Sequence, residues 1–388
     1  MTNWQTKKLG ELGEWFKGAG IAKDDANSGD LPAVRYGELY TTYNIKIEET
    51  RSGISEQVAS QSQEIQYGDI IFAGSGESID EIAKSAVYLL DKNGYASGDT
   101  LILRPNSENN PVFLAYLLNS PLARKNLRAI GQGKSIVHAH IKEMIKIELP
   151  VPDRKTQDDY ANKLDVFDRT LISQDVEIER MIELKKGLMQ QIFSGKLRFK
   201  DDNGGGFPAW EKKKLSEIAT ITTGKKDVNQ GNPNGEYPFF TCAKTHTYSD
   251  GFSFSGEAIL IAGNGEVGLC QYYNGDFEAY QRTYVLQDFK IDGKFLFRYL
   301  SFAFQNFVNA QKQTSAMPYI KLGMLQTFPV ITPTIAEQRK IATFLSDFDA
   351  QIDTLKSLRD ETAKQKKWLL NNLVTGKVRL PQFKGKGG

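Results

Sequence analysis

Five stretches of this 388-residue chain carry residue types that do chemistry in other settings. Gly131-Gln132-Gly133-Lys134-Ser135 has the tail of a phosphate-cradling loop, in which backbone amides and a lysine hold the anion. The complete loop needs a glycine five residues ahead of Gly133, where Arg128 stands, so the stretch reads as a basic loop near a ligand. Phe72-Ala73-Gly74-Ser75-Gly76 has the glycines of a cofactor loop of the S-adenosylmethionine type. Methylation of an adenine amino group would also require an Asn/Asp-Pro-Pro-aromatic motif, but no two prolines are adjacent and Asn232-Pro233-Asn234-Gly235 does not substitute. Glu183-Leu184-Lys185, with Asp153 as partner, has the Glu-x-Lys form of a metal-dependent nuclease, yet these residues fall on one long helix and read as its solvated face. His138 and His140 lack a nearby cysteine or acidic cluster to complete a metal set, and Cys242, Cys270 and His246 are isolated. No catalytic constellation emerges, and the expectation is a chain that binds no metal or cofactor of its own.

What remains is a binding signature. Lys17, Lys23, Arg35, Tyr36 and Tyr40 cluster early, and Lys134 and Ser135 follow in the same half. Lys225, Lys226, Asn232, Lys312 and Thr314 make a similar set in the second half. Loops that mix Lys/Arg with Asn/Gln and Tyr suit phosphate anchoring together with hydrogen bonding to base edges. These twelve residues are the candidate DNA-contacting set, although each taken alone reads as a solvated surface group.

The elements that must position them come as a duplication. Gln157, Ala161, Phe167, Asp168 and Gly195 recur as Gln338, Ala342, Phe348, Asp349 and Gly376, all at a spacing of 181 residues. The repeat reaches back through Trp4, Lys7, Lys8, Leu9, Glu11 and Gly18, answered by Trp210, Lys213, Lys214, Leu215, Glu217 and Gly224. Ala73-Gly74-Ser75-Gly76-Glu77 is answered by Ala262-Gly263-Asn264-Gly265-Glu266, and Thr100-Leu101-Ile102-Leu103 by Thr283-Tyr284-Val285-Leu286. Offsets change inside the globular parts but not in the long proline-free stretches after them. Each globular part reads as short β-branched and aromatic strands between Gly, Asn and Asp turns, an α+β domain dominated by irregular antiparallel strands.

Within the proline-free stretches, apolar residues recur in steps of four and three. Tyr160, Leu164, Phe167, Leu171, Ile178, Leu188 and Ile192 mark one seam, and Ile341, Leu345, Phe348, Ile352, Leu355, Leu369 and Leu373 the other. Such a pattern is the seam of a coiled coil. Helices of roughly 40 residues would be about 60 Å long, more than a small domain needs for its own core. Matched register favours the two helices packing on each other over each lying alone on its own domain, and pseudo-twofold symmetry makes them antiparallel. Thr334-x-x-Glu337 reads as a capping box. The expected boundaries are a first β-rich domain at 1–152, a spacer helix at 153–200, a flexible linker at 201–208, a second domain at 209–332 and a second spacer helix at 333–381.

Composition bounds the partners. Forty-nine Lys and Arg against 47 Asp and Glu give a net charge of +2, so a nucleic-acid surface must be a local patch. Two cysteines fit a reducing compartment, the first residues lack a signal-peptide core, and no apolar run approaches the ~18 residues of a membrane helix. The expectation is a cytoplasmic protein without a membrane association.

Together these features resemble the specificity subunit of a type I restriction–modification enzyme. The resemblance spans nearly the whole chain. It rests on the duplicated plan, the Trp-x-x-Lys-Lys-Leu-x-Glu-Leu opening at Trp4 and its variant at Trp210, the stretch Pro333-Thr334-Ile335-Ala336-Glu337-Gln338, and the helix ends Ser194-Gly195-Lys196-Leu197-Arg198 and Thr375-Gly376-Lys377-Val378-Arg379. The first half departs at Pro152-Asp153-Arg154-Lys155-Thr156-Gln157, where Thr156 replaces the glutamate. The resemblance implies two target recognition domains, each reading half of a bipartite double-stranded DNA sequence. It implies helices that act as spacer and as docking surface for two modification (methyltransferase) subunits and for restriction/translocase subunits, with Leu164, Phe167, Leu171, Ile178, Leu188, Leu345, Phe348, Ile352, Leu355 and Leu369 as the set for partner docking and coiled-coil packing. S-adenosylmethionine, ATP and Mg would then be carried by those partners, and this chain would not be an enzyme. The competing reading is a coiled-coil scaffold whose two β-rich domains bind protein or carbohydrate.

Overall fold

The computed structural model describes residues 4–131, 137–314 and 319–373, with backbone alone at 311–314. Two compact units result. The first joins Met1–Asp175 to Leu358–Gly388, and the second is Val176–Ser357. The division cuts through both long helices, Arg154–Phe193 and Ile335–Leu373, so the helices are not domains of their own. The cause is packing. Tyr160, Leu164 and Leu373 are buried in the core of the first unit, and Ile192, Ile341 and Leu345 in that of the second.

In the first unit Gln5–Lys8 pairs antiparallel with Glu148–Val151, closing the domain next to the helix start. A five-stranded sheet runs in the order Gly13–Lys17, Thr100–Pro105, Ile70–Ala73, Ser85–Tyr88 and Lys46–Ile47, and a four-stranded sheet in the order Ser52–Ile54, Leu31–Val34, Gly94–Ala96 and Gln63–Ile65. The second unit repeats the plan in reduced form. Glu211–Lys214 pairs with Pro329–Thr332, a four-stranded sheet holds Thr220–Thr223, Thr283–Gln287, Glu257–Ala262 and Cys270–Asn274, and three strands form the other sheet. The sheets are not purely antiparallel: Gly94–Ala96 runs parallel to Leu31–Val34, Lys46–Ile47 to Ser85–Tyr88, and Tyr237–Phe240 to Glu278–Ala279.

Repeated residues do repeated work. The backbone N–H of Lys8 donates to Glu11 (3.0 Å) and that of Lys214 to Glu217 (2.8 Å), fixing the turn that buries Leu9 and Leu12 or Leu215 and Ile218. Gly18 and Gly224 are required by close approach, since a Cβ would lie 2.0 Å from the Ser97 carbonyl oxygen or 1.8 Å from that of Ala279. Asn110 and Asp292 cap the helices Pro111–Leu118 and Gly293–Tyr299. Gln157 and Gln338, both buried, each accept the backbone N–H of that cap residue (2.7 and 2.8 Å) and donate to the carbonyl of Pro152 or Pro333 (2.9 and 2.6 Å).

Along the long helices every seam residue expected from the periodicity is buried or half-buried, while Val166, Ile172, Val176, Ile182, Leu184, Leu358 and Trp368 are exposed. The polar residues that interrupt the seam are paired. In the first unit Lys366 meets Asp168, which also accepts the Tyr116 hydroxyl, Arg359 meets Asp175 at 2.9 Å, and Gln174 donates to Thr362 at 3.3 Å. In the second unit Lys185 meets Asp349, which Arg298 also holds. Partner numbers fall as residue numbers rise, so the helix segments run antiparallel.

In the 201–208 segment, expected as a flexible linker, Asp201 accepts the N–H groups of Asn203 (2.9 Å) and Gly205 (2.8 Å), Lys340 binds Asp202 and the Lys200 carbonyl, and Arg198 donates to the Phe207 and Pro208 carbonyls. One expectation needs correction. The capping box is half made. Thr334 accepts the Glu337 N–H at 3.4 Å, but the Glu337 carboxylate turns away to Arg198 (2.7 and 2.9 Å) and to the Trp210 indole N–H (2.8 Å). A buried carboxylate facing a guanidinium gains more there than by closing the cap. The second helix end, Thr375–Leu380, lies outside the described residues.

Candidate nucleic-acid interface

The first unit gathers four of its candidates, Lys23, Arg35, Tyr36 and Tyr40, around an open cleft of about 890 Å³ that Arg51, Glu77, Glu81 and Asp99 also line. The short helix Glu38–Thr41 positions them. Its buried Glu38 accepts from the Arg35 guanidinium at 3.3 Å and from the Ser52 hydroxyl, so Arg35 is held in place. Tyr36 and Tyr40 stand with ring centroids 6.3 Å apart, and burial, reinforced by Tyr36, raises the Tyr40 phenol above its usual range. Lys23 is exposed and Lys17, on Gly13–Lys17, is exposed outside the cleft. Lys134 and Ser135 lie outside the described residues.

In the second unit the candidates separate. Lys226 donates to the buried Glu278 and to Ser249, both at 3.0 Å, so its charge is spent inside the fold. Asn232 is engaged in its own turn, donating to Asp250 (2.7 Å) and accepting the Asn234 N–H (3.0 Å). Lys225 alone is exposed and without a partner among the described residues. Lys312 and Thr314 fall on the helix Gln305–Thr314, their side chains outside the described residues. The cleft here, about 320 Å³, is lined instead by Thr223, Gly263, Gln281, Arg282, Tyr284, Tyr319 and Ile320. Reading the sequence by clusters of basic residues missed Arg282 and Tyr284, because each is a single residue at a strand start. The signal was the repeated Thr100 and Thr283, which mark equivalent strand starts.

Side chains of the motifs that suggested catalysis are bonded within the chain. His138 bonds through Nδ1 to the Ser75 hydroxyl at 2.9 Å, Glu183 faces Lys186 at 3.7 Å, and Lys185 is taken by Asp349. Burial pushes the Cys270 thiol up to about 12, far from a reactive thiolate. Among the described residues no group of three or more His, Cys, Asp or Glu could hold a metal, and no helix is long and apolar enough to cross a membrane.

Comparison with known proteins accounts for the duplicated plan. The EcoDI specificity subunit of Escherichia coli is 35% identical over 148 residues, 38% of this chain and 33% of that protein. The MjaVIII specificity subunit of Methanocaldococcus jannaschii is 25% identical across 97% of this chain and 93% of its own length. A crystal structure of the type I restriction–modification S subunit from M. genitalium superposes over 96% of both chains with a TM-score of 0.60 at 18% identity, which establishes a shared fold. The family described as the type I restriction modification DNA specificity domain matches residues 1–183 and again 209–363. A double match over most of its length makes this chain a member of the type I restriction–modification specificity family.

Proposed function

We propose that this chain is the DNA-reading subunit of a type I restriction–modification enzyme, with one β-rich domain for each half of a bipartite target. The carrying observation is the double family match, once in each half of the chain, over two domains built to the same plan. The chain reads DNA and assembles with methyltransferase and restriction subunits; it is not itself catalytic. Two modification subunits, one for each half, follow from the duplication, and S-adenosylmethionine, ATP and Mg belong to the partners. Genomic DNA as the target implies the cytoplasm. The scaffold alternative has no observation in its favour.

The docking surface on the long helices falls to residues other than the seam. Seam side chains are buried or half-buried, whereas Ile172 is 62% exposed and Trp368 58%. Exposed apolar side chains of this size are what a partner subunit would cover. The helices, of 40 and 39 residues, would set the gap between half-sites. Mapping methylated adenines across the host genome with and without this protein tests the reading. A bipartite methylated sequence should vanish when the gene is removed, and an unchanged methylation pattern would refute it.

A further inference from the structure

The clefts of the two units are built at the same turn and present opposite charge there. The Gly74 N–H donates to the Asp99 carbonyl at 2.7 Å, and the Gly263 N–H donates to the Arg282 carbonyl at 2.9 Å. Each glycine is needed for this approach: a Cβ would lie 2.7 Å from the Asp99 oxygen or 2.4 Å from the Arg282 oxygen. The next residue, Thr100 or Thr283, is buried and begins the strand that pairs with Ile70–Ala73 or Glu257–Ala262. Asp99 and Arg282 therefore answer each other in the two units, although only Asp99 has a positive φ. Asp99 holds a φ of +60°, which aspartate tolerates better than most side chains.

Both side chains are exposed, both line their clefts, and neither makes a hydrogen bond or ion pair among the described residues. Three cleft neighbours are engaged. Arg35 is held by Glu38, Gln281 donates to Asp227 at 3.1 Å, and the Tyr284 hydroxyl donates to the Ile320 carbonyl at 2.9 Å. A charged group on a fixed backbone turn, with no internal bond to break, is prepared to meet an external hydrogen-bonding edge. A guanidinium matches the two acceptors of guanine, O6 and N7, and a carboxylate matches the amino donor of cytosine.

Resting on the DNA-reading function above, we infer that Asp99 and Arg282 are the paired base-reading positions of the two units. Arg282 takes a guanine in one half-site, and Asp99 takes a cytosine in the other.

The test is methylation-site mapping in a host carrying the complete enzyme, with Arg282→Ala, Arg282→Gln and Asp99→Asn in this chain. Arg282→Ala should lower the preference for one G·C pair in one half-site roughly 10- to 100-fold and leave the other half-site intact. Arg282→Gln should shift that pair toward A·T, as an amide suits adenine. Asp99→Asn should relax one position in the opposite half-site. Unchanged half-sites, or uniform weakening of both, would overturn the inference while the wild-type bipartite sequence still stood. Failure of these variants to fold would contradict the lack of internal bonds at both side chains and overturn it equally. Absence of any bipartite sequence with the wild-type protein would instead remove the functional reading beneath it.

Discussion

The two long helices begin differently. In the second unit Glu337 is fully buried, its carboxylate shared between the Arg198 guanidinium and the Trp210 indole, with the guanidinium 4.9 Å from the indole ring centre. At the matching point of the first unit stands Thr156, which donates to Asp153, and Asp153 in turn accepts the Thr156 backbone N–H at 3.0 Å. The Trp4 indole N–H there is buried without a partner among the described residues. Each helix thus keeps one carboxylate at its N-terminus, where the helix dipole favours negative charge, but on a different residue. By contrast, Gln157 and Gln338 keep the same two bonds. The difference is instructive. A side chain that satisfies backbone groups on two elements is held in both copies, whereas a side-chain network can be rebuilt from other parts.

Breaking the network should have the largest effect. Glu337→Ala leaves a partly buried guanidinium unpaired and should cost about 3 kcal/mol, while Thr156→Ala should cost about 1 kcal/mol. Hydrogen exchange resolved by unit distinguishes them, and equal losses would dissolve the contrast. Next come the glutamines. Gln157→Ala and Gln338→Ala each strand a backbone N–H, and both should cost about 2 kcal/mol, alike within about 0.5 kcal/mol. A large inequality would mean that the matching geometry hides unequal roles.

The seam lysines sharpen the comparison further. Lys366→Met should cost about 2 kcal/mol, because Asp168 then keeps only the Tyr116 hydroxyl, whereas Lys185→Met should cost under about 1 kcal/mol, since Asp349 keeps Arg298. Chemical denaturation of the two variants decides the order. The smallest effect is expected at Lys225, whose replacement by Ala should leave stability unchanged and lower the salt dependence of DNA binding by about one unit of slope. Its neighbour Lys226, already bound to Glu278, should instead lose stability when replaced.

Most of the fold was legible because it repeats. Every position that the step of four and three picked out is buried or half-buried, although Ala161, Phe193 and Ala342 are buried beside it, and the fixed spacing of Gln157 and Gln338 marked a shared joint. The clefts were less legible. Arg35 and Lys226 look alike as basic residues in a chain, but buried Glu38 and Glu278, distant from surface patterns, occupy both. Arg282 looks isolated in the chain and becomes notable only because its backbone carbonyl is tied as Asp99 is. Parallel pairings such as that of Tyr237–Phe240 with Glu278–Ala279 join segments far apart in the chain, and local alternation carries no record of direction.

Under the proposed function, the long helices set the spacing between the two half-sites that the domains read. Inserting residues near Ser194 to lengthen the first helix, followed by methylation-site mapping, tests this most directly. The account predicts a longer gap between two unchanged half-sites. An unchanged gap, or an altered half-site, would contradict it.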